Sequence, residues 1–262
     1  MTDDLARDFE LVRETAREAG ELALSYWGRG IRQETKADGT AVTEADRAVD
    51  ALFAARLREA RPDYGWLSEE SAEHESRLSA RRVFVLDPID GTQSFIQAKD
   101  DWTVALSLVE DGEAVLSAVV NPVRGEFYEA RRGGGAFLNG RPIAVSARDT
   151  LSGATFIVSP SHLKSSRWTR PWPALKSVHI CSMTYRLCLV ASGVGDASFA
   201  LPPKWEWDVA PGSLLVAEAG GLATDASGSA FCFNNRSAKV PGYLAAGPSL
   251  YPLLAERMGD AL

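Results

Sequence analysis

The chain has 262 residues, 45% of them hydrophobic, with 28 basic against 35 acidic side chains and a net charge of −7. That length suits one large domain or two intimate lobes and is ample for a sizeable core. The acidic balance, with a pI near 5.1, excludes the basic footprint of a protein that binds a nucleic-acid polymer or an anionic membrane. A phosphate site here would need local help from metal ions or a few basic groups.

Met1 to Asp4 is acidic and lacks the apolar core of a signal peptide. No apolar run approaches the roughly 20 residues needed to span a bilayer. Cys181, Cys188 and Cys232 form no C-x-x-C pair, and three sparse thiols point to reduced cysteines in a cytoplasm rather than to disulfides. Cys188 falls on an expected helix, where it is read as packing.

Leu5, Phe9, Val12, Ala16, Ala19, Ala23 and Tyr26 recur at steps of four and three. They predict an amphipathic helix capped by Thr2 or Asp3 and ended by Gly28 and Gly30. A short strand is expected over 31–35, then a turn at Asp38-Gly39. Thr43 and Asp46 have capping-box spacing ahead of a second helix lined by Ala45, Val49, Leu52 and Phe53. Taken alone, Asp46 is a capping carboxylate and Lys36 a solvated lysine. Arg61-Pro62-Asp63 stops the second helix. Trp66 to Ser68 reads as a strand leading into Glu69-Glu70, and adjacent acids on a strand point to opposite faces, so one of the two is expected to face a shared centre. A mobile loop is expected over 71–80.

Val83 to Leu86 reads as a buried strand that delivers Asp87-Pro88-Ile89-Asp90-Gly91-Thr92. Pro88 fixes its own φ and pushes Asp87 into an extended conformation, so both carboxylates can be aimed from one rigid turn. Gly91 leaves room for a close backbone approach. Thr92 opens a short helical segment over 93–98 whose free N–H groups attract anions. Two hard oxygen ligands beside an anion seat suggest a divalent metal working on a phosphate. Alone, the same residues make a solvated β-turn.

Trp102, Val104, Leu106 and Leu108 alternate. Asp111-Gly112 is a hairpin signal, and 114–120 pairs back. Further short strands are expected over 127–130 and around Gly133-Gly134-Gly135 and Asn139-Gly140. This antiparallel meander with helices beside it is α+β rather than a parallel repeat. Near Ser146 the composition turns polar, which divides the chain into an N-terminal α+β lobe, 1–146, and a C-terminal α/β lobe, 147–262. In the second lobe 155–158 and 197–201 read as strands, 161–173 as a surface connection and 185–193 as a helix. Asp208 sits where a helix N-cap belongs, with Pro211 tolerable in the first turn. Short strands at 222–224, 231–233 and 242–246 precede a last helix capped by Ser249.

Each acid has a local explanation alone. Together, Lys36…Thr43-x-x-Asp46, Glu69-Glu70, Asp87-x-x-Asp90-Gly91-Thr92 and Trp207-Asp208 arrive in one order and spacing over roughly 36–221. That set, with the run Gly133 to Gly140, resembles the inositol monophosphatase superfamily of metal-dependent, lithium-sensitive phosphatases. The resemblance implies a layered α/β/α/β/α sandwich with the site between two lobes. It implies Mg²⁺, two or three ions, held by Glu69, Asp87 and the Ile89 carbonyl and by Asp87, Asp90 and Asp208. Glu69 and Thr92 would position the attacking water, with Asp46 polarising Thr92. Gly91 and Thr92 N–H groups would receive the phosphate beside Asp90 and Asp208. Lys36 and Glu70 would stand behind these groups.

The residues agree with that chemistry. Mg²⁺ takes carboxylates and water, whereas His74, His162 and His179 have no zinc-ligand spacing. Two like charges ~4 Å apart at an effective dielectric of ~20 repel by about 4 kcal/mol, so Mg²⁺ is expected to stabilise the fold. The substrate would be a small soluble phosphate monoester of the inositol 1-phosphate type, and the resemblance allows a homodimer. At the place where the inositol branch carries an acid for a ring hydroxyl, this chain has Leu201. Glu206 can replace that acid. The segment 181–186 also departs from that branch, and Phe95-Ile96 and Trp102-Thr103-Val104 look like the branch acting on 3′-phosphoadenosine 5′-phosphate. Arg186 then meets a second phosphate, or else is an exposed helix arginine. Histidinol phosphate, sugar bisphosphates and a non-catalytic regulatory binding protein on the same fold remain as alternatives.

Overall fold

The computed structural model describes residues 3–36, 39–71, 74–164, 166 and 168–259. The N-terminal half runs α1 (Asp3–Tyr26), β1 (Gln33–Thr35), β2 (Ala41–Thr43), α2 (Glu44–Phe53), β3 (Gly65–Ser68), β4 (Arg82–Asp90) and α3 (Thr92–Ile96). It continues with β5 (Thr103–Glu110), β6 (Glu113–Asn121), β7 (Glu126–Arg131), β8 (Gly135–Leu138) and β9 (Arg141–Pro142). After it come β10 (Thr155–Ile157), α4 (Pro160–Leu163), β11 (Lys176–Val178), α5 (Met183–Ala191), β12 (Ala197–Ala200) and β13 (Lys204–Trp205). The chain closes with α6 (Glu206–Glu218), β14 (Leu222–Thr224), β15 (Lys239–Val240), β16 (Tyr243–Ala246) and α7 (Tyr251–Gly259).

Strands β3 to β9 form one seven-stranded sheet in sequence order, parallel between β3 and β4 and antiparallel thereafter. A second sheet of five strands has the order β11-β10-β12-β16-β14 and mixed direction. The period-2 alternation of β4 decides what each face of the large sheet meets. Phe84 and Leu86 face a core with Val12, Ala16, Ala19 and Ala23 of α1 and Val49 and Phe53 of α2. Val83 and Val85 face the opposite core, shared with Leu187 of α5 and Leu215 of α6. The far face of the five-stranded sheet packs Phe156, Phe199 and Leu244 on Leu254 and Met258 of α7. Helices, sheet, helices, sheet and helix therefore stack as five layers, the α+β sandwich expected. No helix among the described residues is long and apolar enough to cross a membrane.

Local structure differs from the sequence expectations in identifiable places. Thr2 lies outside the described residues, and Asp3 is already helical. Asp38 also lies outside them. The loop expected over 71–80 contains a 3₁₀ turn, Glu75–Ser79, whose Arg77 is only 2% exposed, because Arg77 is tied to Asn234 and Asn235. The connection expected on the surface near 161–173 brings Trp168 and Trp172 against Phe156 and Phe199, half-burying indoles that solvent would disfavour. Helix α6 starts at Glu206 with Trp205 as its cap. Asp208 is thus the third helical residue rather than the cap, and Pro211 stands inside the helix rather than in its first turn.

Candidate active site

The D-P-I-D-G-T stretch is not a free turn. Strand β4 runs through it to Asp90, and the register against β5 shifts between Asp87 and Asp90. Such a bulge re-aims side chains that strict alternation would hold. Pro88 donates no N–H, so it fits where the ladder is broken. Asp87 Oδ1 accepts from the Ile89 N–H at 3.0 Å, locking the bend. Gly91 follows with φ +94°, and a Cβ there would lie 3.1 Å from the Ser182 nitrogen and 3.2 Å from the Asp101 carbonyl oxygen. Only glycine lets β4 pass this close to the start of α5.

Asp208 arrives from the first turn of α6. One oxygen each of Asp87, Asp90 and Asp208 lies within 4.8 Å of the others, the one group of three or more such donors among the described residues. These acids line a cavity of about 370 Å³ with Glu69, Ile89, Gly91 and Thr92. Hard oxygen donors alone suit Mg²⁺ rather than zinc. The triad can therefore hold a divalent cation.

Burial raises all three acids. Asp87 is driven well above the ordinary aspartate value by burial and then by Glu69, Asp90 and Asp208. Asp208 is raised likewise, with Lys204 opposing. Asp90 is raised by burial against the hydrogen bonds it accepts. Those bonds come from the mouth of α5: Ser182 Oγ at 2.7 Å and the Thr184 N–H at 2.6 Å to Oδ2, and the Met183 N–H at 3.0 Å to Oδ1.

Glu69 shares the cavity but stands outside the triad. Strand β3 ends at Ser68, so strand alternation does not separate the two glutamates. Lys36 Nζ donates to Glu69 at 2.9 Å and to Glu70 at 2.6 Å. Of the pair, Glu69 is the one that lines the cavity. Burial disfavours the Lys36 ammonium, but the glutamates outweigh it and raise its pKa; it is no solvated lysine. Burial lifts Glu70 to about 7 despite Lys36.

Asp46 is both the capping carboxylate and a neighbour of the site. Oδ2 accepts from the Thr43 N–H at 2.8 Å and Thr43 Oγ1 at 2.5 Å, closing the capping box. The single hydroxyl proton of Thr92 has two acceptors in reach, the Ile89 carbonyl at 3.0 Å and Asp46 Oδ1 at 3.5 Å. Burial lifts Asp46 to about 6.

Both candidate substrate contacts are buried. Arg186 is not an exposed helix arginine: it is 5% exposed and donates from Nε to the Ile180 carbonyl at 2.8 Å. Glu206 does not stand in for an acid at Leu201. It is fully buried and its carboxylate accepts from the N–H groups of Asn234 and Asn235. The Gly133–Gly140 run spans the turn after β7, strand β8 and the turn into β9, and its Gly133 and Gly135 N–H groups donate to Glu218 at 2.7 and 2.8 Å. Cys181, Ser182 and Thr184 are the functional neighbours that sequence reasoning left unassigned. Ser182 did carry a signal, since a serine just before an apolar helix is an N-cap, and here its Oγ accepts from the Tyr185 N–H.

A profile of the inositol monophosphatase family matches residues 4–260. An inositol-1-monophosphatase of Rhizobium meliloti is 33% identical, covering 88% of this chain and 90% of that protein. A histidinol-phosphatase of Chlorobaculum parvum is 36% identical over 84% of this chain and 86% of its own length. A 3′(2′),5′-bisphosphate nucleotidase of Aggregatibacter actinomycetemcomitans is 31% identical over 92% and 91%. The solved extragenic suppressor protein suhB from Bartonella henselae superposes with a TM-score of 0.83 at 26% identity, covering 97% of this chain and 98% of that one.

Proposed function

The chain belongs to the inositol monophosphatase family of phosphoric monoester hydrolases, and on that premise we propose that it is a Mg²⁺-dependent phosphatase of a small soluble phosphate monoester. The observation that carries this reading is the triad of buried Asp87 and Asp90 with half-buried Asp208, opening into one cavity with Gly91 and Thr92.

On this reading Asp87, Asp90, Asp208, Glu69 and the Ile89 carbonyl would hold two or three Mg²⁺ ions. Bound there, the ions would supply Lewis-acid stabilisation of charge on the phosphate and on the departing alkoxide. Glu69 and Thr92 position the water that attacks phosphorus as the ester P–O bond breaks, giving the alcohol and inorganic phosphate. Asp46 accepts from Thr92 and so orients its hydroxyl. The N–H groups of Gly91 and Thr92 receive phosphate oxygens. Lys36 balances Glu69 and Glu70. The N-terminal lobe, 1–146, supplies most of these groups and the C-terminal lobe, 147–262, supplies Asp208. Three unbonded cysteines support a cytoplasmic location, and the family resemblance allows a homodimer.

Three relatives of similar identity carry three different substrate names, so identity alone selects none of them. An inositol 1-phosphate-type ester is the first substrate to test. A second reading, an ester with a further anionic group such as 3′-phosphoadenosine 5′-phosphate, is supported by Arg186. It is a nearly buried guanidinium that donates to the Ile180 carbonyl and is hydrogen-bonded to Tyr243, and Lys204 nearby is lowered by burial and then by the Arg186 charge. Phosphate release from inositol 1-phosphate, histidinol phosphate, a sugar bisphosphate and 3′-phosphoadenosine 5′-phosphate, with and without Mg²⁺ and Li⁺, tests both. Activity that ignores Mg²⁺, or survives Asp90→Asn, contradicts the assignment.

A further inference from the structure

The two arms of the acid triad are far apart in sequence, and one short segment joins them. Arg77 lies between Glu69 and the strand bearing Asp87 and Asp90. Its guanidinium donates to Asn234 Oδ1 at 2.7 Å and to the Asn235 carbonyl at 2.9 Å, and Asn234 Nδ2 donates back to the Arg77 carbonyl at 2.8 Å. The same asparagines hold Glu206, two residues before Asp208. The Asn234 N–H donates to Oε2 at 2.6 Å, and the Asn235 N–H and Nδ2 donate to Oε1, each at 2.8 Å. The backbone closes the same joint. The Glu206 N–H donates to the Ala238 carbonyl at 2.9 Å, β13 pairs with β15, and Lys239 sits 4.0 Å over the Trp205 ring.

Burying an arginine and a glutamate costs desolvation that an apolar contact would avoid. In exchange, a connected polar network with directional bonds at both asparagines favours one geometry, where apolar packing tolerates several. Asp208 needs one geometry, since a cation distinguishes oxygens displaced by a few tenths of an ångström.

We propose that Arg77, Asn234, Asn235 and Glu206 form a positioning clasp that fixes Asp208 against the Asp87–Asp90 strand, so that the three carboxylates meet a cation already assembled. The proposal rests on the metal-phosphatase reading above.

The test is calorimetric titration of Mg²⁺ into the full-length protein and two variants. Asn234→Gly keeps the left-handed backbone, φ +64° in the native chain, and removes both side-chain bonds to Arg77. Glu206→Gln keeps the shape and removes the charge. Both are expected to bind Mg²⁺ about tenfold more weakly, with the Mg²⁺ requirement for phosphate release rising in step and turnover at saturating Mg²⁺ retained. Leu254→Ala, in the core beneath α7, is the control: it lowers the melting temperature and leaves Mg²⁺ affinity unchanged. Should Asn234→Gly not fold, Glu206→Gln carries the same comparison. Variants that bind Mg²⁺ as tightly as the native chain, or that weaken only as far as Leu254→Ala does, overturn the clasp. A native chain that binds Mg²⁺ but releases phosphate from no ester removes the phosphatase reading and leaves the clasp standing. A native chain indifferent to Mg²⁺ removes both.

Discussion

The hydroxyl of Thr184 donates to the backbone carbonyl of Asp208 at 2.9 Å. The N–H of the same threonine donates to Asp90, so one residue at the mouth of α5 braces two acids of the triad. The bond falls beside a weak point in α6. Pro211 has no N–H for the carbonyl of Trp207, four residues earlier, and its ring crowds that turn.

Thr184→Val tests this brace. Valine keeps the shape and branching, and the N–H to Asp90 is untouched. The buried carbonyl of Asp208 loses a donor, so urea unfolding of the chelated protein is expected to show a loss of about 1–2 kcal/mol. Unchanged stability would mean the hydroxyl contributes nothing to the turn.

Asp87→Asn separates stability from function. Asp87 is 1% exposed, with its pKa raised by burial and by four neighbouring acids. An asparagine can still accept the Ile89 N–H and can offer its amide to the neighbouring carboxylates. The metal-free variant is expected to melt above the native chain, by about 2–4 °C for each kcal/mol of repulsion relieved. Its melting temperature should no longer respond to Mg²⁺, and phosphate release should be lost. Differential scanning calorimetry with and without Mg²⁺ reads both effects.

The same crowding fixes a pH dependence. Asp46 moves from 3.8 to about 6 and Glu70 from 4.5 to about 7, both through burial. The triad acids shift in the same direction. A folded-state pKa above the unfolded one favours folding fully below the unfolded value, and that contribution is lost as pH rises through the folded value. The chelated protein is therefore expected to lose stability between about pH 4 and pH 7, and saturating Mg²⁺ should flatten or reverse the loss. Melting curves at pH 5.5 and 8 check this. A chelated protein that grows more stable across that window would contradict the acid cluster.

Gly91→Ala strikes the seam between β4 and α5. The residue sits at φ +94°, and the added methyl would press on the Ser182 nitrogen and the Asp101 carbonyl. A cost of about 1–3 kcal/mol is expected from backbone strain, together with loss of activity as the donors to Asp90 shift. Native-like stability and turnover would show that the close approach is dispensable.

Individual elements are legible because their apolar patterns are local, α1 at steps of three and four, β5 at two and β4 as an apolar run, while the five-layer stacking follows from the family resemblance. The order and spacing of the acids single out Asp87, Asp90 and Asp208, which the fold brings together. What the sequence could not carry depends on contacts between distant segments. Asp208 reads as a cap until Trp205 is seen paired with Lys239, which starts the helix earlier. Arg77 reads as a loop arginine until Asn234 and Asn235 close on it. Glu206 reads as a free acid for the same reason. The bulge between Asp87 and Asp90 leaves little mark in the residues beyond Pro88.

The most direct test is anomalous scattering from crystals of the native chain grown with Mn²⁺ in place of Mg²⁺. The account predicts a peak within coordination distance of the carboxylates of Asp87, Asp90 and Asp208 together, absent in Asp87→Asn. Mn²⁺ bound elsewhere, with the triad bare in crystals of an active enzyme, would contradict it.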